Sequence, residues 1–265
     1  MRLAGLLHSK MNVILSLFIY SGGGDLTAAV TGVFNGARIR IEDTLIRFNS
    51  NYALSFNTDD ARIDSFDGNL ILDNSDVGNV VASTAGNLAG NSRYVGNTVN
   101  ELTIRGGIFE GYDITIPNVG IPISLNDLSI VSGSLTIAAG ADVEMLGDTQ
   151  IQVDGPVRMV GTAERPITLR GRSTTQGYWD GVRLYGQGEK VLNHVNISFG
   201  GANEADTGAI EIDCSDNNSS RVQIDNTDII QSASWGIFSK GTGCTTVIGN
   251  TVTYSNNALG NSNVP

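Results

Sequence analysis

Arg183 and Glu211 are the first residues whose types and spacing could carry chemistry. Val182 and Leu184 flank the arginine as Ile210 and Ile212 flank the glutamate, so a 28-residue offset sets two short alternations side by side. Successive side chains of a strand point to opposite faces, which puts both charged residues outward when the apolar ones turn inward. Such a pair is either a surface salt bridge, worth about 0–1 kcal/mol, or a grip on a ligand. Tyr178, Trp179 and Tyr185 form the densest aromatic cluster in a chain with only two tryptophans, and Asp180 lies among them. Exposed flat rings stack on sugar faces, and Asp and Arg can hydrogen-bond the hydroxyls. Alternatively, Trp179 caps the apolar interior at a turn. The candidate ligand-binding set is therefore Tyr178, Trp179, Asp180, Arg183, Tyr185 and Glu211.

Other chemistries find less support. The Asp/Asn-rich turns Asp213–Asn218 and Asn57–Asp60 offer oxygen ligands of the kind Ca²⁺ takes, so Ca²⁺ is the one cofactor with any motif behind it, but neither turn has the EF-hand layout. Solvated turns are the preferred reading, and no metal site is assigned. His194 lies in a strand-like segment with no second histidine or cysteine beside it, so zinc is not expected. The chain has no phosphate-binding loop, no dinucleotide fingerprint and no G-x-S-x-G nucleophile elbow.

The 27 acidic and 16 basic residues give a net charge of −11. Phosphate backbones and anionic membrane surfaces repel such a chain, so no nucleic-acid partner is expected. Residues 1–24 read as a signal-like segment or an amphipathic cap: Arg2 and Lys10 are basic, and 11–20 is mostly apolar but too short to span a bilayer, which needs about 20 residues. Ser21 and Gly22 to Gly24 follow as a small, flexible stretch. An exported, disulfide-permissive setting is the expectation, whether extracellular, cell-surface or periplasmic. There Cys214 and Cys244, 30 residues apart, form either one disulfide or two buried thiols.

Positioning these side chains falls to a repeated pattern that starts near residue 30. Apolar alternations such as 38–41, 70–72, 102–104, 135–137, 151–153, 182–184 and 210–212 alternate with Gly, Asn, Asp and Ser, while strong helix formers are scarce. Ala37-Arg38-Ile39 returns as Ala61-Arg62-Ile63, 24 residues on, and Leu45-Ile46 as Leu70-Ile71 after 25. A period in the twenties with strands and no helix is a solenoid signature. Residues 25–265 are expected to form one all-β coil, a single-stranded right-handed parallel β-helix of about nine or ten rungs, roughly 45 Å long at the strand spacing. Inward Ile, Val and Leu columns would fill it. Asn226 is expected above Asn250 in a corner ladder, since Asn tolerates the left-handed region and stacked amides bond from rung to rung. Gly200–Thr207 reads as an inserted loop, Asn74–Asn100 as a long loop, and 117–126, with Pro117 and Pro122, as an irregular crossing.

The text Leu135-Thr136-Ile137-Ala138-Ala139-Gly140-Ala141, then Val160-Gly161-Thr162-Ala163-Glu164-Arg165-Pro166-Ile167, Gly177-Tyr178-Trp179-Asp180-Gly181-Val182, Leu192-Asn193-His194-Val195-Asn196-Ile197-Ser198 and Ser234-Trp235-Gly236-Ile237 resembles the right-handed parallel β-helix (pectin-lyase-like) superfamily. Within it, residues 121–265 are similar to exported bacterial β-helix repeat proteins, many of them lipoproteins of unassigned activity. Tyr20 stands where a lipoprotein would carry its lipidated cysteine. The resemblance implies a fold more firmly than a chemistry. Polygalacturonases of this superfamily carry N-T-D, D-D, G-H-G and R-I-K in that order. Here Asn226-Thr227-Asp228 and Asp59-Asp60 come in the reverse order, and neither His8 nor His194 sits in G-H-G. Pectate-lyase chemistry needs carboxylate-held Ca²⁺ and an arginine of lowered pKa. With no catalytic set to assign, the expectation is a non-enzymatic surface module for polysaccharide or cell-surface glycan. A polysaccharide lyase or glycoside hydrolase and a passive structural spacer are the alternatives.

Overall fold

A computed structural model of the chain describes residues 13–15, 19–20, 28–32, 38–57, 62–202, 204–215 and 220–264. The fold is all-β, with parallel strands wound as a β-solenoid of about nine turns. The chain divides into two compact units, Met1–Arg105 with Val119–Ile123, and Gly106–Asn118 with Ser124–Pro265. Among the described residues no helix is long and apolar enough to cross a membrane.

In the first unit three parallel sheets carry the turns. One joins Val13–Leu15, Arg38–Glu42 and Arg62–Asp67; a second joins Ile19–Tyr20, Leu45–Arg47, Leu70–Leu72 and Arg93–Val95. The third includes Tyr52–Phe56, Asp76–Val81 and Val99–Arg105. The registers pair Ile39 with Ile63 and Ile46 with Ile71, the 24- and 25-residue repeats of the sequence. Inward residues stack in columns, as Phe56, Val80 and Ile104 do, all fully buried. Each such side chain contributes about 1.5–3 kcal/mol of burial.

One corner of this unit is a buried asparagine ladder. Asn74 Oδ1 accepts hydrogen bonds from the Asn49 backbone N–H (3.1 Å) and from Asn49 Nδ2 (2.7 Å), while Asn74 Nδ2 donates to the Ile46 carbonyl. Asn97 Oδ1 then accepts from the Asn74 backbone N–H and from Asn74 Nδ2, each at 2.9 Å. Parallel rungs leave polar backbone at their corners, and one amide per turn satisfies both an N–H and a carbonyl.

The second unit has three faces. A six-stranded sheet runs Asp113–Ile116, Ser134–Ile137, Val157–Val160, Glu189–Asn193, Arg221–Asp225 and Thr245–Ile248. A seven-stranded sheet runs Gly107–Glu110, Leu128–Val131, Gln150–Asp154, Gly181–Tyr185, Gly208–Cys214, Trp235–Gly241 and Gly260–Ser262. The third face includes Asp142–Met145, Ile167–Gly171, Val195–Ser198, Asp228–Ile230 and Thr253–Ser255. Leu128, Ile151, Val182, Ile210 and Ile237 form one inward column, every member buried. Cys214 and Cys244 are disulfide-bonded with their Cα atoms 5.3 Å apart, within the range a bridge requires.

Several expectations change on the structure. Asn74–Asn100 is not a loop: it holds the strands Asp76–Val81 and Arg93–Val95, the start of Val99–Arg105 and a short helix, Ala82–Ala85. Gly78 hides this from the pattern, because it stands where a Cβ would collide with the Leu54 carbonyl. Asn226 does adopt the left-handed region (φ 46°), yet its Nδ2 donates to Asn193 Oδ1 at 2.9 Å, and its backbone N–H meets Thr251 Oγ1 instead of Asn250. His194 is a corner residue at φ 52°, between strands rather than within one. Of residues 1–24, Val13–Leu15 and Ile19–Tyr20 pair with the next rung, and the remainder lies outside the described residues. Asp59, Asp60 and Asp216–Asn218 lie outside them too.

Candidate functional site

The strand Gly181–Tyr185 turns Val182 and Leu184 into the core and leaves Arg183 and Tyr185 outward. The register sets Arg183 directly beside Glu211, as the 28-residue offset implies. Two further residues complete the cluster: Asp213, two positions along from Glu211, and Lys240, paired in register with Asp213. Arg183 Nη2 donates to Asp213 Oδ2 at 2.8 Å, and Lys240 Nζ contacts Glu211 Oε1 at 2.9 Å and Asp213 Oδ2 at 3.1 Å. Arg183 Nε is 3.4 Å from Glu211 Oε1, an ionic contact without hydrogen-bond geometry. The carboxylates are the more sheltered members, with side chains 14% and 16% exposed against 34% for Arg183.

This geometry shifts the titration of Asp213, Arg183 and Lys240. Burial opposes ionisation of Asp213, but the hydrogen bonds from Arg183, Ser215 and Lys240 outweigh it and hold the carboxyl at about 2. For Arg183, burial pulls downward, yet the Asp213 hydrogen bond and the charges of Glu211 and Asp213 leave the guanidinium above its ordinary value. Lys240 is likewise raised: burial lowers it, and its hydrogen bonds to Glu211 and Asp213 prevail. Glycoside hydrolysis needs one carboxyl that stays protonated, and lyase chemistry needs an arginine able to give up its proton. Asp213 and Arg183 are driven the opposite way.

Two of the three predicted aromatics, Tyr178 and Trp179, precede this strand and do not share its outward face. Trp179 is fully buried, and its Nε1 donates to the Ser198 carbonyl at 2.9 Å. Its ring packs so near Gly200 that a Cβ there would touch the indole, so it has no face to offer a sugar. This corrects the exposed reading of Trp179 in favour of the capping one. Tyr178 is half-buried over Gly147 and Gly171. Asp180 sits in the same turn, its carboxyl raised by burial first and then by the charges of Asp148, Asp127 and Glu204. Among the described residues no group of three or more His, Cys, Asp or Glu is arranged to hold a metal ion.

Tyr185, half-buried like Tyr178, is the one of the three predicted aromatics that stands outward beside Arg183. Arg183 Cζ lies 5.8 Å from its ring centroid, and Gln152 Nε2 donates to its hydroxyl at 3.1 Å. The ring also lines an open groove of about 860 Å³ at the corner between the six- and seven-stranded sheets. Asp113, Ser134, Asp154 and Gln187 line it as well. Its turns stack closely: a Cβ on Gly155 would collide with the Gly133 carbonyl of the neighbouring turn, and Gly155 itself adopts φ 145°.

Beneath one wall lies a residue outside the predicted set. Lys190 occupies an inward column between Val157 and Val222 and is fully buried. Its Nζ donates to the carbonyls of Gly186 (3.1 Å) and Gln187 (3.3 Å), which belong to the turn forming that wall. Burial pushes its ammonium down to about 8 despite the attraction of Asp154. The alternation Lys190, Leu192 against Val191, Asn193 was the available signal, since it gives the lysine the inward parity. No protein-family model, curated protein or solved structure matches the chain.

Proposed function

We propose that this chain is an exported, surface-displayed β-helix of the right-handed pectin-lyase-like kind that binds polysaccharide without cleaving it. The observation that carries the reading is the Arg183–Glu211–Asp213–Lys240 network. Its carboxylates and cations neutralise one another, which suits a fixed recognition surface and withholds the mobile proton that hydrolysis or elimination requires. The adjoining groove supplies what glycan binding uses: an aromatic ring with hydroxyl and carboxylate groups.

Affinity electrophoresis through gels holding a panel of polysaccharides, with a parallel assay for new reducing or unsaturated ends, tests the proposal. Retardation without new ends is expected. New ends would replace it by the enzyme reading, for which the raised carboxyl of Asp180 would be the first acid to substitute. No retardation by any polysaccharide would leave the structural spacer.

A further inference from the structure

The groove beside Tyr185 has a charge character that narrows its ligand, provided that the chain binds polysaccharide as proposed. Asp113 and Asp154 both line it, and among the described residues no lysine or arginine does. Two cations close by are already engaged, Arg183 by Asp213 and Glu211 and Lys190 by the Gly186 and Gln187 carbonyls, while Arg158, two residues from Pro156, is exposed and is not among the lining residues. A uronate or sulfate entering here would meet like charge with no counter-ion among the lining residues, in a chain whose net charge is −11.

Sugar hydroxyls meet the opposite reception. A carboxylate is an acceptor-only group, and its hydrogen bonds from neutral donors are shorter and stronger than those between neutral partners. The groove contains its own example: Ser134 Oγ donates to Asp113 Oδ1 at 2.6 Å. Asp154 lies two turns along the same corner, against the Gly186 turn, where a Cβ on Gly186 would collide with its carboxylate. From Asp113 the groove runs past Gly133 and Ser134 on the next turn and Asp154 and Gly155 on the one after, to Tyr185 and Gly186 on the turn beyond. We infer that this groove binds a neutral, hydroxyl-rich glycan chain, with Asp113 and Asp154 accepting its hydroxyl protons and Tyr185 packing against a sugar ring.

The test compares neutral polymers (galactomannan, xyloglucan) with anionic ones (polygalacturonate, alginate) in affinity gels. Runs at about 0.05 and 0.5 M salt are included because screening weakens ionic but not neutral recognition. Retention by a neutral polymer, unchanged by salt, is expected. Asp154→Asn and Asp113→Asn should each weaken it roughly tenfold, the effect of losing one hydrogen bond to a charged group. Asp113 is exposed, so Asp113→Asn keeps the test valid if Asp154→Asn, which removes the counter-charge of Lys190, fails to fold. Retention by polygalacturonate alone, lost at high salt, would overturn the neutral-glycan assignment while sparing polysaccharide binding. Neutral retention unaffected by Asp113→Asn and by a folded Asp154→Asn would remove the groove from it, and no retention by any polymer would overturn both.

Discussion

Arg183 and Asp213 lie on neighbouring strands of the seven-stranded sheet and share a 2.8 Å charge-assisted hydrogen bond, Nη2 to Oδ2, with Lys240 closing on the same oxygen from the next strand. The aspartate therefore ionises more readily in the folded chain than in the unfolded one. A depressed carboxyl contributes stability that is complete above its unfolded value, near 3.8, and is lost as pH falls toward the folded value of about 2. After allowance for partial solvent screening, this amounts to roughly 1 kcal/mol. Asp213→Asn should lower the melting temperature at pH 6 and flatten its fall between about pH 4 and 2, as thermal denaturation followed by circular dichroism would show. Parallel curves for the two proteins would contradict the assigned network.

Lys190 gives the opposite slope. Its ammonium is pushed from 10.5 to about 8 on folding, so between those values the unfolded chain holds more protons than the folded one. Stability gained from this group rises as pH climbs through that window. Denaturant titrations at about pH 7.5 and 10 should show the wild type gaining relative to Lys190→Met. An unchanged difference between the two would mean that the lysine is solvated.

Trp179→Ala removes a buried indole and leaves the Ser198 carbonyl without its donor. A loss of about 3–5 kcal/mol is expected, with a melting point several degrees lower by calorimetry. A melting curve that matched the wild type would restore the exposed stacking ring.

The disulfide links residues 30 apart, and reducing it should cost about 3–4 kcal/mol in the chain-entropy account. Thiol titration of oxidised, denatured protein should find no reactive group. Finding two would refute the bridge.

Much of this fold was legible in the sequence because a stacked rung repeats its own spacing. The offsets from Arg38 to Arg62, Leu45 to Leu70 and Val182 to Ile210 are actual strand registers, since strand parity ties each apolar alternation to one face. Arg183 beside Glu211 followed from that parity alone. Asp213 and Lys240 did not, because each lies on an outward position whose neighbour depends on loop lengths the sequence does not constrain. Tyr178, Trp179 and Asp180 are adjacent to Arg183 along the chain, yet they sit in the turn before its strand, where the Trp179 ring drops into the core. The groove was not legible, for it forms where the corners of successive turns align, and strand alternation does not fix that alignment.

The most direct test of the central claim is size-exclusion chromatography of galactomannan after prolonged incubation with the protein. Glycan binding without cleavage predicts that protein co-elutes with polymer of unchanged length, and that Tyr185→Ala, judged folded by its melting curve, elutes alone. Wild-type protein eluting apart from full-length polymer, or polymer shortened by the incubation, would contradict it.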